Sequence, residues 1–140
     1  MVETALVLPL LLAFFLGTLD LAIVILRHHT VSQAARQGVR QAIVHGSLAK
    51  SGWEGGPWGP ATYGPMAASS ADPKAQAIAK YLATLDPSQV QVTMQWLDGD
   101  NDPEDRVRVT VTTSTTTLVG FVLGRRTIDL TATATMPIAH

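Results

Sequence analysis

Between Ala5 and Leu26 the chain reads ALVLPLLLAFFLGTLDLAIVIL, with Asp20 as its single charged residue. At about 1.5 Å per residue a helix of this length crosses a bilayer core of about 30 Å. A run this apolar has to be buried in lipid or against other helices, and the rest of the fold has to be built around it. The whole-chain figures hide this division. The 140 residues carry a net charge of −1 and are 46% hydrophobic, yet most of the charges lie beyond Arg27. The balance argues against a nucleic-acid partner, which calls for a basic face. With no cysteine there is no disulfide scaffold, thiolate metal site or thiol nucleophile.

A cleaved secretory signal would need a basic start, a shorter apolar core and a small-residue cleavage site, whereas this chain begins Met-Val-Glu. A plain membrane anchor fits better. Arg27, His28 and His29 follow the run with nothing basic before it, which alone would put the C-terminal side in the cytoplasm. Removal of a basic leader would reverse that orientation, so the chain is expected to be a processed form. Three residues in the span ask for more than lipid. Pro9 deprives the Ala5 carbonyl of its helical partner and predicts a kink. Gly17 permits close helix approach. Asp20 is costly in hydrocarbon and needs another helix, a polar partner or water. Glu3 sits where a carboxylate favours the positive end of the helix dipole.

The stretch Val2-Glu3-Thr4-Ala5-Leu6-Val7-Leu8-Pro9-Leu10-Leu11-Leu12, followed by Gly17 and Asp20, resembles the start of TadE-like pilins of the tight-adherence (Flp-type) pilus systems, which are type IV pilin-like. In that family a prepilin peptidase removes a short basic leader, and a glutamate stands fifth in the mature chain. Glu3 matches that glutamate but stands third here. The specific part of the resemblance covers about the first 20 residues. It implies assembly residues at Glu3, Pro9, Gly17 and Asp20, and partners that are copies of the chain or other pilins. It also implies residence in the inner membrane before an extracellular filament or cell-surface stage.

Beyond the span, Arg27 to His45 keeps helical spacing, with Val31, Ala34, Ala35, Gly38, Ala42 and Ile43 on one side. One helix from Thr4 to His45 would be about 60 Å long, with Gly46 as its stop. Residues 46–72 read as a glycine- and proline-rich loop in which Trp53, Trp58 and Tyr63 recur. These aromatics either cover the head's own apolar side or form a contact or adhesive surface. Asp72-Pro73 opens a short helix over 73–85. Period-two alternation then predicts strands near 89–97, 106–113 and 126–136, an antiparallel sheet with one wet face. The fold expected is α+β and pilin-like. A filament- or membrane-core helix (1–27) continues into a head (28–140), where it packs on about three strands with one short extra helix.

Leu118 to Leu123 (LVGFVL) is either a buried element or an apolar partner site. The dense polar cluster holds Asp98, Asp100, Asp102, Glu104 and Asp105. Its alternate carboxylates suit a hard cation such as calcium, or the Asp, Asn, Gly and Pro serve turn geometry alone. It is not an EF-hand loop. The Thr112–Thr117 run and the alternating threonines of 131–135 are expected on exposed strand faces, with O-glycosylation as the other reading. No nucleophile elbow, phosphate loop or HExxH motif occurs, so an enzyme is not expected. Two functions follow. One is a structural subunit of an extracellular pilus. The alternative is a single-pass membrane-anchored assembly factor, or an adhesive or calcium-binding surface protein, that does not polymerise.

Overall fold

The computed structural model describes residues 2–49, 56–117, 124 and 127–139, with side chains from residue 7 onward. One helix, α1 (Val2–Ile43), runs the length of the N-terminal third and continues through Pro9. Its 42 residues make it about 63 Å long. From Val31 the face Val31, Ala34, Ala35, Gly38, Val39 and Ala42 is buried. Small residues there let the helix lie close on its neighbours. A Cβ on Gly38 would stand 2.8 Å from two carbons of Ile78 and 3.2 Å from Val109. The helix ends without help from Gly46, which has no positive φ. His45 turns back instead: its Nδ1 lies 2.7 Å from the Gln41 carbonyl, one of the acceptors that the last helical turn leaves open.

The sheet has four strands rather than three, in the order β1-β2-β3-β4, each antiparallel to the next. β2 (Val90–Trp96), β3 (Arg106–Thr115) and β4 (Ile128–Pro137) lie where the alternation put them. Val90, Val92, Met94, Trp96, Val107, Val109 and Val111 are buried against α1 and α2, while Gln91, Gln95, Arg106 and Arg108 face water. The addition is β1 (Thr62–Ala67), inside the stretch read as a loop. It contains Gly64 and Pro65, joined by a cis peptide bond, and its register slips between Tyr63 and Met66. Proline cannot donate to a ladder, so such a segment suits only an edge. Gly64 is required there, because its φ is +103° and a Cβ would meet the Val92 carbonyl oxygen at 2.4 Å.

The second helix, α2 (Pro73–Ala79), is shorter than the 73–85 expected. Asp72 caps it by accepting from the Lys74 N–H at 2.9 Å. After Lys80 the chain tightens into turns, with Tyr81 and Leu82 bonding three residues back. Leu82 is buried all the same. Asp86 then caps a single 3-10 turn over Pro87–Gln89.

Candidate functional site

The candidate site is the lower half of α1 and its junction with the head. From Val7 to Leu26 the large apolar side chains other than Val24 are exposed in the isolated chain: Leu10 is 72% exposed and Phe14 69%. The helix is long and apolar enough to cross a membrane. Pro9 is among its exposed residues and Gly17 is half-buried. Glu3 lies on α1, and its side chain is outside the described residues. Within this stretch Asp20 is the exception, at 8% exposed. The acid predicted to need a partner is thus enclosed and engaged within its own chain.

A buried row continues from it along the helix through half-buried Val24 and Arg27 to Val31. The Arg27 guanidinium donates to the Thr115 hydroxyl at the end of β3. Thr113, Thr115 and Thr117 are all buried, which corrects the expectation that the 112–117 threonines sit on an exposed face. They continue the inward phase of Val107, Val109 and Val111, so the helix–sheet interface turns from valine to threonine toward the span. The same alternation, followed past Val111, would have shown them in the sequence. Ser114 does face out, and its hydroxyl meets Asp129 at 2.6 Å. On the outer face Thr110 and Thr112 share hydrogen bonds with Thr133 and Thr131, each at 3.2 Å.

The acidic loop sits at the far end of the head. Asp98 is held by Arg106, accepting from its backbone N–H at 2.8 Å, its Nη2 at 2.7 Å and its Nε at 3.1 Å. These bonds bring the Asp98 carboxyl from an ordinary 3.8 to about 2. Asp100 is pushed the other way, first by its hydrogen bond with Asp105 and then by that neighbour's charge. Asp105 also accepts from the Asp102 N–H at 3.1 Å, and Glu104 adopts a φ of 79°. Among the described residues no group of three or more acidic or histidine side chains is arranged to hold a metal ion.

The depressed Asp98 value fixes a pH dependence. A carboxyl that ionises more readily folded than unfolded stabilises the fold above its unfolded value, and this is lost as pH falls through the folded one. The melting temperature of the protein should exceed that of Asp98→Asn at neutral pH. The gap should narrow as pH falls from 3.8 toward about 2. A gap independent of pH in thermal melts would show that the ion pair does not contribute.

Asn101, in the same loop, is buried and was not singled out in the sequence. Its Oδ1 accepts from Trp96 Nε1 at 2.6 Å and its Nδ2 donates to the His45 carbonyl at 3.2 Å. Its own carbonyl accepts from the Ser47 N–H at 2.7 Å. One side chain therefore ties the end of α1 to β2. The aromatics lie against the head. Trp58 stacks on His45 at 4.0 Å, and Tyr63 meets Trp96 edge-on at 5.8 Å with the Lys74 ammonium over its ring. Trp53 and the Leu118–Leu123 run lie outside the described residues.

Residues 1–40 match the family described as TadE-like protein. No curated protein and no solved structure matches the chain. The matched stretch contains the whole apolar span, buried Asp20 and most of the helical face beneath the sheet. The first 40 residues of this α+β protein, most of its long helix, are thus similar to the TadE-like family.

Proposed function

We propose that this protein is a pilin-like structural subunit, held in the inner membrane by α1 and then packed helix to helix into an extracellular pilus. The observation that carries the reading is the surface of α1 from Val7 to Leu26. Large apolar side chains stand uncovered around most of its circumference, in a segment matching the TadE-like family. Such a helix is compatible with lipid before assembly and with neighbouring helices after it. Partners are then other copies or other pilins, and a prepilin peptidase processes the chain. The role asks for no catalysis, cofactor or nucleic acid.

In this reading Glu3 neutralises the N-terminal amine of a neighbouring subunit, as its resemblance to the pilin glutamate implies, since a charge in an apolar core needs a partner. Glu3→Ala should remain in the membrane fraction while its yield in sheared surface filaments falls at least tenfold. Immunoblots of both fractions, with mass spectrometry of the filaments, measure this. Normal incorporation of the variant would remove that role from Glu3.

A second reading is a membrane-anchored assembly factor that does not polymerise. It is favoured by Asp20, which is enclosed within its own chain and so does not call for a neighbouring subunit. Negative-stain microscopy of sheared material separates the two. A bulk or regularly incorporated subunit supports the filament, and a chain found only in membranes supports the factor.

A further inference from the structure

We propose that the lower end of the head is itself a membrane-contacting surface, seated in the lipid headgroup zone beside the helix; this rests on the reading that α1 spans the bilayer. Two contacts orient the head. At one end the Ala139 N–H donates to the Ile43 carbonyl at 3.1 Å, so the end of β4 lies beside the end of α1. At the other end Arg27 bonds to Thr115, which pairs in register with Ile128. β3 therefore runs toward the span and β4 away from it, and their shared lower end is level with Arg27.

The lengths then place that end in the bilayer. The buried row on α1 reaches down to Asp20. Glu3 bounds the apolar run below, and from it the hydrocarbon thickness of about 30 Å reaches about Ile23. The stretch from Asp20 to Arg27 therefore spans the top of the hydrocarbon and the interfacial layer on that side, about 5–8 Å of the roughly 10–15 Å that the two layers add. In that stretch Leu21, Ile23, Ile25 and Leu26 are all exposed. At about 100° per residue they spread over about 200° of the helix, away from the row of Asp20, Val24 and Arg27. On the sheet, Ile128 shares the helix-facing phase of Leu130, Ala132 and Ala134, yet is 39% exposed.

The occupant follows from this distribution. A second copy covers one side of a neck, whereas a bilayer surrounds it. Uncovered aliphatic side chains spread around the helix, and Ile128 adds one on the sheet end beside it. Exposed His28 and His29 follow immediately above, at the level where polar groups meet phosphates. The gradient from leucine and isoleucine to imidazole within three helical turns is the gradient of a bilayer boundary.

The absence of native cysteine makes site-directed spin labelling direct. Leu10→Cys, Ile23→Cys, Ile128→Cys and Thr133→Cys, each in the full chain, would be labelled and reconstituted in vesicles of phosphatidylcholine and phosphatidylglycerol. Collision with oxygen and with a water-soluble nickel chelate then reports depth. Leu10 should lie deepest. Ile23 and, about 6 Å nearer the water, Ile128 should both report the interfacial layer, with oxygen-to-nickel ratios several-fold above that of Thr133 on the outer sheet face. Ile128 matching Thr133 while Leu10 stays in hydrocarbon would overturn the proposal and leave the anchor intact. A water-exposed Leu10 would overturn the anchor and the proposal together. Protection of Ile128 from both reagents that rises with the protein-to-lipid ratio would assign the surface to a second copy instead.

Discussion

Replacing Trp96 with alanine is expected to destabilise the head by about 3–5 kcal/mol, the range for truncating a buried aromatic. Trp96 closes the core at the end of β2 and is 6% exposed. Three kinds of contact converge on it. Its Nε1 donates to Asn101, Tyr63 meets its ring edge-on, and Gly59 lies so close that a Cβ there would be 2.5 Å from Nε1. Trp96→Phe separates the terms. It keeps much of the packing but leaves the Asn101 carboxamide oxygen without its donor inside the fold, a cost of about 1–3 kcal/mol. Urea unfolding of the full chain in detergent, followed by circular dichroism, would rank the variants. Equal midpoints for Trp96→Ala and the parent would mean that the 58–63 segment and the 98–105 loop do not depend on this ring.

Gly38→Leu is the second large effect, at the upper end of the roughly 1–3 kcal/mol that overpacking costs. Even alanine is instructive. In a free helix Gly→Ala gains about 0.5–1 kcal/mol, but here the new methyl would enter space held by Ile78 and Val109, both fully buried. The sign should reverse, so that Gly38→Ala lowers stability. Pairing it with Ile78→Val, which removes the Cδ1 atom 2.8 Å from the added Cβ, should recover part of the loss. A double-mutant cycle reads this directly. Additive effects of Gly38→Ala and Ile78→Val would mean that the two residues do not share the space.

Much of this fold was legible because its elements follow their own periods. β2, β3 and β4 alternate cleanly, and α1 is apolar enough below Leu26 and periodic enough above Val31 to be read as one helix. β1 was hidden because Gly64 and Pro65 disrupt both composition and alternation, and its pairing is supplied by β2 rather than by local propensity. α2 looked longer because Ile78, Ala79 and Leu82 keep helical spacing, although the backbone has tightened into turns by Tyr81. Asp20 could be recognised as a charge that needs a partner. Whether that partner lay within the chain or on a neighbour depended on how far down the helix the head reaches. Asn101 carried no signal at all, since asparagine among Asp, Gly and Pro reads as a turn former. Only the fold brings it to Trp96 and His45.

The order of the strands has a consequence for synthesis. Each strand neighbours the next in sequence, so β2, β3 and β4 pair across comparatively short connections, while β1 meets β2 across the longer segment that holds α2. The face of α1 from Val31 to Ala42 does not share that advantage. It is made early, and the strands that cover it, β3 and β4, are made late. This valine- and alanine-lined face waits for the chain to return from the far side of the sheet. The Ala139–Ile43 hydrogen bond closes that circuit between the end of the last strand and the end of the first helix. Cover of this face is thus complete only with β4, and a ribosome stalled before Ile128 leaves it covered by α2 and β3 alone.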